Sequence, residues 1–220
     1  MKTTSLRLHR AAEPTWAEIH GHPFVRGLGD GSLPVDAFRW FLLQDYLYLF
    51  EYARVFAYGV IKSPKEELMC FFAENVDAIL HGEMNLHRAY MKRMGIAEAE
   101  VLHVRPSHAN VSYTHYMLAI AAAGGPEQIL AAILACSWSY AEIAERLAKI
   151  PHASAHPLYG EWIQGYTSKD YTATNARLIG RLDKLTARFS EEQLQRLEDI
   201  FVRCSRFELD FWDMAWNRDC

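Results

Sequence analysis

Apolar residues recur at intervals of three and four positions along most of the 220-residue sequence. This interval matches the turn of an α-helix, and no useful stretch shows the alternation of apolar and polar residues that a half-buried strand requires. The 12 glycines and 8 prolines are too few for a turn-rich β fold. The sequence therefore predicts an all-α bundle of about seven or eight helices.

Only short breaks separate the predicted helices. A Gly-rich turn at residues 27–31 precedes a long helix, Pro106 marks a connection over residues 96–110, and Gly124-Gly125-Pro126 ends one helix and begins the next. Residues 63–66 and 190–193 match the Ser-x-x-Glu/Gln pattern of a capping box. Because no linker stands out, we expect a single domain that spans residues 1–220.

Charge and hydropathy exclude several classes of protein. The formal net charge is -4 and no basic block is present, whereas a nucleic-acid-binding protein normally carries a basic patch. No apolar run reaches the roughly 18 residues that a membrane span needs. Residues 1–10 lack the hydrophobic stretch of a secretory signal. We therefore expect a cytoplasmic protein that binds neither nucleic acid nor membranes.

Four cysteines are present, and their spacing fits neither a disulfide framework nor a zinc site. Cys136 and Tyr140 are four residues apart and share a helix face. A cysteine acts as a nucleophile only as the thiolate, which needs a nearby base or a lowered pKa. No such partner is close in sequence, so the local pattern alone favours a packing role for Cys136.

Two carboxylates interrupt apolar or aromatic helix faces. Asp45 lies in a strongly apolar helix, where burial is costly unless the charge is paired. It could contact a ligand together with Tyr48, which shares its face, or form a salt bridge with Arg39 or Arg54. Glu208 lies among aromatic residues, which could raise its pKa and make it a general acid, or it could be an ordinary exposed glutamate.

Several tyrosines complete a pattern that extends along the chain. The order is Asp45-x-x-Tyr48, then Tyr113, then Cys136-x-x-x-Tyr140, then His156-Pro-x-Tyr159-x-x-Trp162-Ile-x-x-Tyr166, then Glu208-x-x-Phe211-Trp212. This order resembles the TenA-type thiaminase II family. The match runs from about Trp16 to Trp216 and is far more specific than any one of its motifs. The helical cysteine places the sequence with the cysteine-bearing type.

The resemblance implies a haem-oxygenase-like fold and hydrolysis of aminopyrimidines in thiamin salvage, with no cofactor and no metal. It implies that Cys136 is the nucleophile, Glu208 the acid/base, and Asp45 the carboxylate that binds the pyrimidine edge and helps position or activate the thiol. It also implies substrate-binding roles for Tyr48, Tyr113, Tyr140 and Tyr166. Homotetramers are usual in the family. The leaving group stays open among an amine, a formylamine and thiazolium.

Three other functions stay open at this point. Glu83 and His87 share a helix face and could belong to a di-iron oxidase, although no second Glu-x-x-x-His is present. His20 or His22 could bind haem, on fold analogy alone. A protein that binds pyrimidines without catalysis is the third.

Overall fold

The computed structural model describes residues 3–220, and every regular element in this range is helical. The predicted all-α class is therefore confirmed. A π-helical turn, Ala78–Glu83, joins α4 to α5, and a 3₁₀ turn, Ala153–Ala155, precedes α9. The helices are α1 (Thr4–Gly21), α2 (Pro23–Asp30), α3 (Val35–Lys62), α4 (Glu66–Asp77), α5 (Met84–Arg93), α6 (Glu98–His103), α7 (His108–Ala123), α8 (Pro126–Leu147), α9 (Gly160–Tyr166), α10 (Lys169–Thr186) and α11 (Glu191–Asn217).

The helices in residues 3–220 outnumber the seven or eight predicted, because short helices form where the sequence predicted a turn and a connection. α2 occupies the Gly-rich segment, and α6 lies in the connection after Gly95. His22 caps α2 by accepting a hydrogen bond from the Phe24 amide, and Gly31 ends the helix at a φ of 80°. A Cβ at Gly27 would lie 2.9 Å from the Leu33 backbone, so the glycine permits a close approach rather than a turn.

Local capping follows one of the two predicted capping boxes and departs from the other. The amide of Gln193 donates to Ser190 Oγ, and the amide of Ser190 donates to Gln193 Oε1, which confirms that capping box. The box predicted at residues 63–66 is wrong. The Ser63 hydroxyl instead donates to the Gly59 carbonyl at 2.6 Å and satisfies one of the terminal carbonyls of α3.

The chain divides into two compact units. In the first, residues 3–34 and 130–212, α1 packs against α10 and α2. The amide and hydroxyl of Ser5 both donate to the Asp183 carboxylate, and Trp16 Nε1 donates to Ser205 Oγ at 3.0 Å. Within this unit, residues 130–135 of α8 are fully buried. A buried Leu or Ile side chain contributes about 1.5–3 kcal/mol, so this segment is a large part of the core.

The second unit, residues 35–129 and 213–220, is organised around α3. This 28-residue helix packs against α4, α5 and α7. Close packing is visible at Gly59, where a Cβ would lie 2.3 Å from the Phe72 ring. None of the helices in residues 3–220 combines the length and the apolar character that crossing a membrane would require.

Candidate active site

The first group of candidate residues lies in the second unit, on α3 and α7. The rings of Tyr48 and Tyr113 are both buried, and their centroids are 5.3 Å apart at an angle of 38°. Tyr52, one turn along α3, stacks on Tyr48 at 5.3 Å, and the Tyr48 hydroxyl lies 3.8 Å from Met117 Sδ. The structure therefore brings two of the predicted substrate-binding tyrosines into direct contact.

Asp45 lies one turn before Tyr48 on α3. The Asp45 carboxylate is paired with a histidine. Asp45 Oδ2 lies 2.7 Å from His87 Nε2, and both side chains are buried. Burial alone would lower the pKa of His87, but the hydrogen bond and charge of Asp45, with the charge of Glu83, raise it above its ordinary value. The raised pKa favours the protonated form of the His87 ring beside the Asp45 carboxylate.

Neither arginine that the sequence offered as a partner of Asp45 takes that role. Arg39 donates to the Met94 carbonyl and pairs with Glu100 at 3.3 Å. Arg54 pairs with Glu51, one turn earlier on the same helix. The alternative of a salt bridge from Asp45 to either arginine is therefore wrong, and the partner is a histidine from another helix.

A buried amide network fixes α7 against α3 beside Asp45. Gln44 is fully buried and donates from Nε2 to the Arg105 carbonyl at 2.9 Å. Its Oε1 accepts from the Ser107 amide at 2.9 Å and from Asn110 Nδ2 at 3.2 Å. These bonds hold the first turn of α7 in register on α3, and the register places Tyr113 next to Tyr48.

The second group of candidate residues lies in the first unit. Cys136 is half-buried on α8, and Tyr140, one turn later, is buried. The Ser139 hydroxyl donates to the Cys136 carbonyl at 3.1 Å. Next to the cysteine, the Ser137 hydroxyl donates to Asn175 Oδ1, and the Tyr171 hydroxyl donates to the Ser137 carbonyl. α10 therefore fixes the part of α8 that carries the thiol.

An aromatic cluster surrounds Tyr140. Its ring lies 5.1 Å from Tyr166, 5.3 Å from Trp212 and 5.7 Å from Trp162, measured between centroids. Trp162 also contacts Tyr166 at 4.6 Å. The structure therefore brings together Tyr140 and Tyr166, as the predicted substrate site requires. Trp212, which the sequence placed only in a motif, is one of the side chains that position Tyr140.

Glu208 is only 1% exposed, so the alternative of an ordinary exposed glutamate is wrong. It precedes Trp212 by one turn of α11 and shares the face that contacts Tyr140. Cys204, one turn earlier, is fully buried. Burial, and then the charge of Glu208, raise the pKa of this thiol well above its usual value. Glu208 is thus a buried carboxyl group one helical turn from Trp212, which contacts Tyr140.

Two of the three histidines considered as metal or haem ligands, His87 and His22, have other roles. Both ring nitrogens of His87 are engaged, Nδ1 with the Glu83 carbonyl at 3.2 Å and Nε2 with Asp45. His22 Nδ1 accepts the Phe24 amide as a helix cap. Within residues 3–220, no three His, Cys, Asp or Glu side chains come together in a way that could hold a metal ion.

Each unit supplies a different chemistry. The second unit carries a paired carboxylate beside stacked tyrosines, which suits hydrogen bonding and stacking of a flat polar ring. The first unit carries a thiol and a buried carboxyl within an aromatic cluster. The sequence did not identify His87 as the partner of Asp45. The signals available were the unpaired charge within an apolar helix and the unassigned Glu83–His87 pair.

Comparisons with known proteins agree with this chemistry. The model of the TENA/THI-4/PQQC family matches residues 9–218. A protein named aminopyrimidine aminohydrolase from Halalkalibacterium halodurans is 45% identical over 210 residues, which are 96% of this chain and 94% of the relative. The solved structure of a TenA homologue protein from P. horikoshii OT3 matches with a TM-score of 0.92 and 32% identity, over 98% of this chain and 99% of that one.

A more distant structure bears on the fold alone. A domain of unknown function with a heme oxygenase-like fold, from Shewanella denitrificans OS217, has a TM-score of 0.79 and 16% identity, over 96% of this chain and 91% of that one. The haem-oxygenase-like fold expected from the sequence is therefore confirmed.

Proposed function

The chain belongs to the TENA/THI-4/PQQC family, and from this premise we propose that it hydrolyses aminopyrimidines in thiamin salvage. The substrates proposed are 4-amino-5-aminomethyl-2-methylpyrimidine, thiamin or both, each giving the hydroxymethylpyrimidine. The observation that carries the proposal is the 45% identity to an aminopyrimidine aminohydrolase along nearly the whole of both chains.

The proposed reaction begins at the thiol of Cys136. Its thiolate adds to the pyrimidine ring, a carbon–sulfur bond forms, and electron density moves toward the exocyclic methylene carbon. The bond from that carbon to the amine breaks, and Glu208 gives the departing amine its proton. Water then adds to the exocyclic methylene and returns a proton to Glu208. The carbon–sulfur bond breaks and releases the alcohol.

The other residues bind and orient the ring. We assign to Asp45 the role of accepting a hydrogen bond from the ring amino group and of helping to position or activate the thiol. Tyr48, Tyr113, Tyr140 and Tyr166 supply aromatic faces and hydroxyl groups for stacking and for polar contacts at the ring edge. The half-buried position of Cys136 and the burial of Glu208 support the roles of these two residues as nucleophile and acid/base.

The proposal is tested by turnover of aminomethyl-pyrimidine and thiamin side by side. We expect Cys136→Ala to abolish turnover while pyrimidine binding persists, and Cys70→Ala, which removes an exposed thiol, to behave as wild type. Glu208→Gln should lose about 10²–10⁴-fold in turnover and keep binding. Wild-type turnover by Cys136→Ala would refute the nucleophile. Tight binding without turnover by the wild type would indicate a non-catalytic pyrimidine-binding protein instead.

We also propose that the enzyme works in the cytoplasm as a homotetramer, as members of the family usually do. Light scattering on the purified protein tests the assembly, since a tetramer has four times the 25.3 kDa mass of one chain. A monomer or dimer at micromolar concentration would contradict it. Cell fractionation tests the location.

A further inference from the structure

The helix that carries His87 is built in an unusual way. Between α4 and α5 the chain makes a π-helical turn, in which the Met84 amide donates to the Ile79 carbonyl five residues earlier. Just after this turn, Leu86 is 45% exposed and the adjacent His87 is 7% exposed. Packing alone would bury the leucine and expose the histidine. π-Turns of this kind occur frequently at functional sites.

The hydrogen bonds of His87 define its protonation state. The Glu83 carbonyl can only accept, so Nδ1 at 3.2 Å carries a proton. Nε2 lies 2.7 Å from Asp45 Oδ2, and a bare ring nitrogen at that distance would repel a carboxylate oxygen. A second proton therefore lies between them, and the raised pKa of His87 favours its place on the ring nitrogen. Asp45 and Glu83 are the acidic groups that face the ring, from α3 and from the π-turn.

This pairing decides what Asp45 can do. One oxygen, Oδ2, is held by His87, which fixes the plane of the carboxylate. The other, Oδ1, accepts no hydrogen bond from the side chains or backbone of residues 3–220. A buried carboxylate with a cationic partner stays ionised and acts only as an acceptor, whereas without one it tends to take up a proton.

We propose that His87 is a positioning residue: it keeps Asp45 ionised and oriented so that Oδ1 accepts a hydrogen bond from the amino group of the aminopyrimidine. This inference rests on the proposed function and adds to it a residue that the reaction scheme does not use. His87 is not a catalytic residue in this arrangement, because it acts through Asp45.

Steady-state kinetics of His87→Gln and His87→Leu test the proposal. Both the ground state and the transition state use the Asp45 contact, so KM should rise about 10- to 100-fold for His87→Leu with a smaller change in kcat. His87→Gln keeps a neutral donor and should recover part of the loss. His87→Gln also keeps the test informative if His87→Leu does not fold, since His87→Leu leaves a buried charge without its partner.

The pH profile separates positioning from a merely structural role. In His87→Leu the buried carboxylate has lost its cationic partner, so KM should increase further as the pH falls from 7 to 5, while the wild-type KM stays level in that range. The matched control is His81→Leu. His81 pairs with Asp77 at the same 2.7 Å distance but on the surface, so its loss should change neither KM nor the profile.

A substrate-free measurement completes the test. ¹⁵N NMR of the histidine side chains should show both His87 nitrogens protonated at pH 7.5 in the wild type, and only one in Asp45→Asn. A neutral His87 in the wild type would overturn the inference, as would an unchanged KM in a folded His87→Leu protein that turns over substrate. A wild-type chain that turns over no aminopyrimidine would instead overturn the proposed function, and this inference with it.

Discussion

The four cysteines of the chain lie in very different surroundings. Cys70 and Cys220 are exposed, Cys136 is half-buried and Cys204 is buried. Cys204 also lies one helical turn from Glu208, whose charge adds to the effect of burial on the pKa of its thiol. Because the thiolate is the reactive form, position along the sequence says little about reactivity and the surroundings decide it.

We expect a thiol reagent to distinguish these cysteines in the folded protein. Ellman's reagent should modify Cys70, Cys220 and, more slowly, Cys136. It should reach Cys204 only after unfolding, because burial and the nearby carboxylate raise the pKa of that thiol. Peptide mass spectrometry, with and without denaturant, measures the extent of modification at each cysteine. Modification of Cys204 as fast as Cys70 under native conditions would contradict the prediction.

The sequence indicated at residue level that Asp45 needs a partner, but it did not indicate which one. The partner is 42 residues away on another helix, so neither helical spacing nor local charge reveals it. The π-turn at Ala78–Glu83 adds a second difficulty. A regular 3.6-residue period continued through it gives the wrong face for Leu86 and His87. For Glu208, the aromatic neighbours on the same helix raised the possibility of burial but left an exposed position open, and the structure decides for burial.

At the scale of helices, buried polar groups determine how the elements meet. Gln44 lies fully buried in the apolar middle of α3 and binds backbone groups just before α7. Sequence patterns did not indicate this network, because Gln44 on its own is an ordinary polar neighbour of Asp45. The helices themselves were predictable from periodicity. The short helices α2 and α6 were not predictable, because α2 lies in a Gly-rich segment and α6 lies in a segment that looks like a connection between helices.

Gln44→Leu should destabilise the protein and loosen α7. The substitution leaves the Arg105 carbonyl and the Ser107 amide without their partner. Each buried unsatisfied group costs about 1–3 kcal/mol, so we expect a loss of about 2 kcal/mol or more in the free energy of unfolding, measured in urea. Gln164→Leu is the control, because Gln164 binds a carbonyl at the surface and should change stability by about 0.5 kcal/mol at most. Equal effects would contradict the assignment.

The packing of α1 and α8 in the first unit makes stability depend on pH through His20. Burial of its ring, then the charge of Arg146, lowers the pKa of His20 from 6.5 to about 4, against an opposing effect of Glu142. The unfolded chain therefore takes up this proton at a higher pH than the folded chain does. His20 does not change the free energy of unfolding above pH 6.5. As the pH falls from 6.5 toward 4, protonation of His20 in the unfolded chain lowers the free energy of unfolding.

His20→Gln should remove this pH-dependent loss. Between pH 7 and 4.5 the wild type should lose about 1 kcal/mol more than the variant, a reduced value because solvent screens the half-exposed ring. His115→Gln, at an exposed histidine, should follow the wild type. Urea unfolding at a series of pH values measures the difference, and parallel curves for wild type and His20→Gln would refute the assignment.

At the scale of the whole molecule, the family model and the similar solved structure both match nearly the full chain. The single domain expected from the sequence stays a prediction. Two helices, α8 and α11, contribute residues to both compact units, with boundaries after Ile129 and after Trp212. A sequence shows where helices begin and end, but the grouping of helices into units depends on contacts between distant segments.

The whole molecule also carries a prediction about metals. The histidine of the Glu83–His87 pair that could have belonged to a di-iron site is engaged elsewhere: His87 contacts Asp45 and a backbone carbonyl. A metal would have to displace the charged hydrogen bond at Asp45 before it could bind His87. Turnover should therefore survive prolonged treatment with EDTA, and elemental analysis should find far less than one iron per chain. Stoichiometric iron, with activity lost on chelation and restored by iron, would overturn both the thiol mechanism and the role of His87.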